Sequence, residues 1–158
     1  MNRPVEILEV SSPDQLGQVR GLLRSSYQKE LPPPYRFPDS EWQALPGAYS
    51  PPGGALVLAM VAGVSAGSVG LRTFPLPGAC EMKRLYVAPA FRREHLGRAL
   101  VEKILEVARR LGYSRMRLDT HPQTMMAAVE LYQRFGFVEV AAEPMPTVEG
   151  LAYMERVL

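Results

Sequence analysis

The longest amphipathic pattern in the chain lies between residues 96 and 112, where apolar residues recur every three or four positions. These apolar positions are Leu96, Leu100, Ile104, Val107, Ala108 and Leu111. This spacing predicts a helix with one buried face. We expect the helix to end at Gly112, because glycine is a favourable C-terminal cap and Arg109 and Arg110 suit the negative end of the helix dipole.

The last helix of the chain is predicted to open at Pro122 and Thr124 and to end at Gly136. Its inner face carries apolar residues at helical spacing, namely Met125, Ala128, Leu131, Tyr132 and Phe135. Another helix is expected over about 11–27, because a serine pair followed by proline is a helix-start signal. A short helix is expected over 39–45.

Short apolar or alternating runs predict the strands. They lie at residues 6–10, 55–61, 67–74, 82–87, 115–119, 137–140 and 151–157. Because the long helix separates the strands 82–87 and 115–119, these two are expected to be parallel neighbours. The run 55–61 is continuously apolar, which favours a strand buried on both faces. The pattern predicts a single α/β domain over residues 1–158 with a mixed sheet.

Two proline-rich segments, 31–38 and 46–54, interrupt the regular elements. Proline lacks the backbone N–H and fixes φ, so neither segment suits a helix interior or a central strand. Both segments contain aromatic residues. They are either plain connectors or walls over a cleft, and the sequence favours neither interpretation.

Length and composition limit the class of protein. With 158 residues, of which 47% are hydrophobic, the chain can bury a substantial core. No apolar run reaches membrane-spanning length and residues 1–10 do not resemble a signal peptide, so we expect a cytoplasmic protein that does not bind membranes. The net charge of +2 does not indicate a nucleic-acid partner. One cysteine and two histidines offer no metal-ligand set, so no metal is expected.

The candidate binding chemistry lies in the basic loop before the long helix. Arg92, Arg93, His95 and Arg98 surround the predicted helix start. Unpaired backbone N–H groups and the positive end of the helix dipole attract anions there, and the added cations strengthen this attraction. The sequence therefore predicts a phosphate-binding site.

Three segments carry a family resemblance: EMKRLYVAPAFR (81–92), HLGRAL (95–100) and AAVELYQRFGF (127–137). In this order they resemble the central strand, pyrophosphate loop and second coenzyme motif of the GNAT superfamily of acyl-CoA-dependent N-acetyltransferases, in particular its small bacterial single-domain members. The resemblance implies a mixed, mostly antiparallel sheet of six to seven strands flanked by about four helices. It also implies acetyl-CoA as the acyl donor and direct attack by an amine in a ternary complex.

The resemblance further implies which residues bind the coenzyme, through the central strand, the basic loop and the first helical turn. The implied set is Leu85, Tyr86, Val87, Arg92, Arg93, Glu94, His95, Leu96, Gly97, Arg98 and Ala99. The family has a glycine at the position of His95, and many members have asparagine at the position of Met125. Histidine tolerates positive φ better than most side chains and can donate to phosphate, so we expect the site to be altered and not abolished.

Two residues are candidates for proton transfer. Tyr132 lies in the ALY motif, whose tyrosine faces the coenzyme sulfur in many relatives, and could protonate the departing thiolate. The alternative is a tyrosine that only packs in the core. Glu81 matches a position at which many members carry a catalytic glutamate, and it is the candidate base. The alternative for Glu81 is a structural carboxylate paired with Lys83 or Arg84.

Other functions remain beside acetyl transfer. A non-catalytic acyl-CoA-binding or regulatory module is the main alternative, and His95 and Met125 prompt it. A nucleotide-binding protein is not favoured, because neither GxxxxGK[ST] nor GxGxxG follows a strand. No charge pattern identifies the acceptor amine, which belongs to a small molecule or a peptide. A homodimer is an option, because dimers are common among relatives.

Overall fold

A seven-stranded sheet organises the protein in the computed structural model, which describes residues 3–158. The strands are β1 (Val5–Glu9), β2 (Ala55–Val61), β3 (Val64–Thr73), β4 (Ala79–Val87), β5 (Arg115–Thr120), β6 (Val138–Val140) and β7 (Ala152–Val157). Their order across the sheet is β1-β2-β3-β4-β5-β7-β6. Only β4 and β5 are parallel neighbours, and the other pairs are antiparallel. The predicted mixed, mostly antiparallel sheet is confirmed.

Four helical units flank the sheet. They are α1 (Pro13–Leu22), which continues through a π-helical stretch (Leu23–Tyr27) into α2 (Gln28–Glu30), then α3 (Asp39–Gln43), α4 (Leu96–Arg110) and α5 (Met126–Arg134). The Ser12 side chain accepts a hydrogen bond from the Gln15 N–H, which explains where α1 begins.

The prediction that Pro122 and Thr124 open the last helix is wrong. The N–H groups of Thr124 and Met125 both donate to the His121 carbonyl, so residues 121–125 form a turn. Met125 has φ −128° and ψ 41°, outside the helical region, and the helix begins one residue later. Local hydrogen bonding in the turn thus overrides a proline signal that would also suit a helix start.

Helices cover both faces of the sheet. Val57 and Ala59 of β2 pack into one core cluster with α4, whereas Leu56 and Leu58 pack into a second cluster with α1 and Trp42. Since successive strand residues point to opposite faces, the two clusters lie on opposite sides of the sheet. The prediction that 55–61 is buried on both faces is confirmed.

The parallel pair β4–β5 separates after a short contact. Residues 79–81 lie opposite 115–117, and in the part of the chain that the structure describes no register partner follows on this side of β4. The β3 side of β4 remains paired, with a register shift opposite Arg84, which adopts a left-handed conformation (φ 59°). This is a β-bulge, and bulges bend a strand and redirect side chains. The second half of β4 therefore has an open edge.

The two proline-rich segments differ in their roles. Segment 31–38 lines a cavity beside the open half of β4. Segment 46–54 lines a different cavity, next to the start of α1, through Pro46 and Pro52. It also contributes the buried Tyr49, whose ring packs on Gly70 so closely that a side chain at that glycine would overlap it. Within residues 3–158, no helix has both the length and the apolar character that a bilayer crossing requires.

Candidate active site

A cationic cavity of about 460 Å³ lies at the start of α4. Its basic lining residues are Arg92, Arg93, His95, Arg98 and Arg134. Val87, Leu131 and Phe135 form apolar walls. His95 is the residue before the first helical turn and makes no side-chain capping bond, so the N–H groups of that turn remain available to a ligand. These features suit a phosphate or pyrophosphate group.

His95 occupies a backbone conformation that favours glycine. Its φ is 61° and its ψ is 22°, and Arg93 also has a positive φ of 68°. Such left-handed residues are costly for most L-amino acids, and histidine is among the less disfavoured types. The loop therefore keeps the turn that glycine would make, with an imidazole added at the cavity wall.

Most of the residues expected to bind the coenzyme line this cavity, but their side chains differ in availability. Arg92 donates through Nε to the Val87 carbonyl at 3.0 Å and through Nη2 to Glu30 at 2.6 Å. Within residues 3–158, the one ion pair of Arg98 is an exposed contact with Glu102 at 3.3 Å. Surface pairs of this kind contribute little, so Arg98 is free to turn toward an anion.

Four expected residues lie outside the cationic cavity. Leu85 lines a second cavity, described below. The Tyr86 hydroxyl donates to Glu30, and Glu94 forms an ion pair with Arg3. Ala99 lies in α4 without lining either cavity.

Arg134 is a lining residue that the sequence interpretation missed. It follows Leu131 by one helical turn, and both residues face the cavity from α5. Arg134 is the basic residue in the last turn of α5. The segment 127–137 already resembled a coenzyme motif, so a basic residue within it was the available signal.

A second cavity, of about 260 Å³, lies where β4 and β5 separate. The strands contribute Lys83, Arg84, Leu85 and Asp119, and the aromatic wall of segment 31–38 contributes Tyr35 and Phe37. Leu85 of β4 lines this cavity while Val87 lines the first, and α5 likewise supplies Tyr132 to one and Leu131 to the other. An extended molecule along β4 can therefore reach both cavities.

Tyr132 lines the second cavity while remaining buried, with 7% of its surface exposed. Its ring packs edge-on against Phe137 with centroids 5.9 Å apart. Burial raises the pKa of the Tyr132 phenol above its ordinary range, and the nearby Tyr27 and Asp119 act in the same direction. The hydroxyl is therefore protonated at neutral pH.

Glu81 is buried in β4 but does not line either cavity. Nε and Nη2 of Arg72 both lie 2.9 Å from Glu81 Oε1, across the β3–β4 pair. The predicted pairing of Glu81 with Lys83 or Arg84 is wrong, because Lys83 pairs with Asp119 and Arg84 pairs with Glu41. A role for Glu81 as base stays a prediction that requires an intervening water.

Asp119 is the carboxylate that the second cavity contains. Lys83 Nζ lies 3.2 Å from Asp119 Oδ2, so this ion pair bridges β4 and β5 just beyond the last paired residues. Sequence interpretation placed Asp119 at the end of a strand without assigning it a role. Its position was the available signal, because β5 runs parallel to the central strand β4 and ligands bind at the carboxyl ends of parallel strands.

The geometry defines an α/β protein with an anion site at a helix start and a tyrosine and a carboxylate at the adjoining strand gap. A sequence profile described as the acetyltransferase (GNAT) family matches residues 16–137. The chain belongs to this family.

Relatives of known sequence are named as N-acetyltransferases. The chain is 41% identical over 107 residues to an uncharacterized N-acetyltransferase of Schizosaccharomyces pombe, covering 67% of this chain and 65% of that protein. It is 31% identical over 110 residues to the uncharacterized N-acetyltransferase YjgM of Escherichia coli, covering 67% and 64%. The aligned region thus spans slightly less than two thirds of each relative.

Solved structures share the fold. An acetyltransferase of the GNAT family from Staphylococcus aureus superposes with a TM-score of 0.80 at 17% identity, covering 98% of this chain and 99% of the other. The ribosomal-protein-S18-alanine N-acetyltransferase of Escherichia coli gives a TM-score of 0.70 at 18% identity, with 96% and 92% covered. At these identities the likeness supports the architecture alone.

Proposed function

We propose that the protein transfers an acetyl group from acetyl-CoA to a primary amine of a small molecule or peptide, by direct attack in a ternary complex. The observation that carries the proposal is the arrangement of the two cavities along β4. One offers cations and helix N–H groups, and the other offers a protonated phenol and a carboxylate.

The residues present fit a coenzyme A molecule. The open half of β4 can pair with the amides of the pantetheine arm as an added strand would. The first turn of α4 and the residues Arg93, His95, Arg98 and Arg134 can hold the phosphates. A thioester at the inner end of the arm would then lie between β4 and β5, beside Tyr132.

Proton transfer accompanies the exchange of acyl bonds. The amine nitrogen attacks the thioester carbonyl carbon, the carbon–sulfur bond breaks, and the amine gives its proton to a carboxylate. We assign protonation of the leaving thiolate to Tyr132, because its buried phenol keeps its proton at neutral pH. Backbone N–H groups near Val87 are the proposed donors to the carbonyl oxygen.

Two carboxylates compete for the role of base. Asp119 faces the second cavity directly, whereas Glu81 would act through water from behind the ion pair with Arg72. An alkylamine has a pKa of about 10.4, so either carboxylate would be needed most when the amine is largely protonated. We retain both residues for a test by substitution.

Calorimetric titration with acetyl-CoA, beside the same titration with CoA that lacks the ribose 3′-phosphate, tests the coenzyme site. We expect micromolar binding that is weaker without the phosphate, since several cations line the cavity. Release of free thiol in the presence of an amine panel then tests turnover. Binding without turnover would favour the non-catalytic acyl-CoA-binding module, and absence of binding would contradict both functions.

A further inference from the structure

Arg84 is a buried cation in the wall of the second cavity, and the proposed transfer reaction does not use it. Only 10% of its side chain is exposed. Its guanidinium lies 4.1 Å from the centre of the Phe37 ring and 5.8 Å from the centre of the Trp42 ring. These cation–π contacts fix the planar group in one orientation. An arginine whose guanidinium is fixed in one orientation at a cavity wall is preorganised to bind a ligand.

An unusual backbone conformation at Arg84 determines where its side chain lies. Its φ of 59° is unfavourable for a long L-residue, and it lies at the bulge in β4. A regular strand would alternate Lys83 and Arg84 between the two faces of the sheet. The bulge allows both residues to line the same cavity.

The partners of Arg84 leave capacity for another anion. Nη2 donates to Glu41 Oε1 at 2.8 Å, and the Glu41 side chain is 40% exposed at the rim. A guanidinium has five N–H donors and can bind a second carboxylate on another edge, or exchange Glu41 for it. A ligand carboxylate in the cavity would therefore bind to N–H donors whose orientation is already fixed.

The carboxylate in the cavity suits an amine. Asp119, which is already paired with Lys83, faces the same space. The cavity of about 260 Å³ is small beside the roughly 300–1,000 Å³ of ordinary ligand pockets, so it favours a small molecule over a folded partner. A positive group and a negative group on one small acceptor would match Asp119 and Arg84 respectively.

From these contacts we infer that the acceptor is an amino acid-type molecule whose carboxylate is bound by Arg84 while its amino group is placed between Asp119 and Tyr132. The inference rests on the proposed acetyl transfer and specifies its substrate class. A free carboxylate close to the reacting amine distinguishes this acceptor from a neutral amine and from the N-terminus of a protein chain.

The test measures thiol release from acetyl-CoA with a panel of L-amino acids, each beside its carboxamide and its decarboxylated amine. We expect at least one amino acid to exceed both of its counterparts without a carboxylate in kcat/KM by on the order of tenfold to 100-fold, the value of a charged hydrogen-bonded pair. Equal or faster acetylation of the counterparts without a carboxylate would overturn the inference and leave the proposed function intact. No acetylation of any compound would overturn both.

Substitution of Arg84 separates recognition from packing. R84K keeps the positive charge but loses the paired N–H donors of the guanidinium, and R84Q removes the positive charge. We expect both variants to lower kcat/KM for the amino acid by about tenfold or more, with a change of less than about threefold for its carboxamide. A purely structural arginine would change both rates equally.

R24Q is the matched control, because Arg24 pairs with Asp39 of α3 at 2.6 Å in the same way that Arg84 pairs with Glu41, but on the surface. R24Q should retain the preference of the native protein for the amino acid over its carboxamide. If R84Q does not fold, R84K and the acceptor panel are sufficient to test the inference.

Discussion

At the scale of single residues, Tyr132 shows how burial sets the chemistry of a side chain. Its phenol pKa is raised by burial, so the group stays protonated at neutral pH and does not supply a negative charge. We predict that Tyr132→Phe lowers kcat by on the order of 100-fold, because the thiolate then leaves without an acid. The affinity for acetyl-CoA should stay within about twofold.

The measurements are thiol-release kinetics and calorimetry on the same preparations. Tyr113→Phe is the control, since its hydroxyl donates to the Gly53 carbonyl away from both cavities. An unchanged kcat for Tyr132→Phe would remove the tyrosine from the mechanism.

The two candidate bases can be told apart by the pH dependence of the rate. The fraction of unprotonated alkylamine falls tenfold for each pH unit below about 10, so assistance by a base matters most at low pH. Glu81→Gln or Asp119→Asn, whichever removes the base, should show a loss of kcat/KM that grows as pH falls from 9 to 6.

A small, pH-independent effect in one variant identifies a structural carboxylate. Asp39→Asn, which alters a surface ion pair with Arg24, is the control for loss of charge alone. If neither variant shows the growing loss, no protein carboxylate acts as the base.

His95 gives a residue-scale prediction about stability and binding together. Glycine in place of a left-handed histidine should stabilise the fold by about 1 kcal/mol, because the L-residue penalty disappears. We expect His95→Gly to keep or strengthen acetyl-CoA binding in calorimetry. A marked loss of affinity would show that the imidazole contacts phosphate.

Ala62→Gly supplies the comparison for His95→Gly. Ala62 also has a positive φ, 49°, in the turn between β2 and β3 and outside both cavities. The Ala62→Gly variant should gain comparable stability and bind the coenzyme with unchanged affinity. The comparison separates the loss of backbone strain from effects of the imidazole on binding.

At the scale of elements, α4 has two tasks, since it presents N–H groups at its start and packs against the sheet along its length. Ile104 is fully buried in the core cluster under β2, β3 and β4. We predict that Ile104→Ala lowers the free energy of unfolding by about 2–5 kcal/mol, through lost burial and an unfilled cavity. Urea denaturation measures this loss.

The exposed side of the same helix provides the contrast. Lys103 and Glu106 form a surface pair at 3.3 Å, and Lys103→Ala should cost less than about 1 kcal/mol. A small effect of Ile104→Ala would mean that α4 is not held by its apolar face.

The pairing of elements shows which information was local. The apolar spacing of residues 96–112 and the crossover to 115–119 were sufficient to predict α4 and its parallel strands. They were not sufficient to predict that β4 and β5 separate beyond residue 81. The bulge at Arg84 lies just beyond that point, and Phe37, Trp42 and Glu41 from distant parts of the chain contact the Arg84 side chain.

At the scale of the whole molecule, Cys80 reports on the integrity of the sheet. It lies fully buried in β4, and burial raises the pKa of its thiol to about 12. We predict that iodoacetamide at pH 8 modifies it on the order of 1,000-fold more slowly than in the unfolded chain, because thiolate is scarce. Labelling that remains fast in the folded state would contradict a closed core.

The same thiol makes stability depend on alkaline pH. Its folded pKa lies above the ordinary value near 9, so the folded state disfavours the thiolate. The contribution is complete below pH 9 and is lost as pH rises toward 12. Cys80→Ala should remove this part of the decline in urea midpoints between pH 8 and 10.5, in comparison with the native chain.

What the sequence alone determined follows from short-range patterns. Apolar periodicity, capping residues and the three motifs were enough for the strand and helix order and for the basic helix start, because each depends on neighbours within a few turns. The tertiary structure decided the rest. It placed Asp119 and Arg84 in one cavity, brought Arg134 to the cationic cavity, and paired Glu81 with Arg72. These relations join residues from different elements, and only the packing of strands and helices brings such residues together.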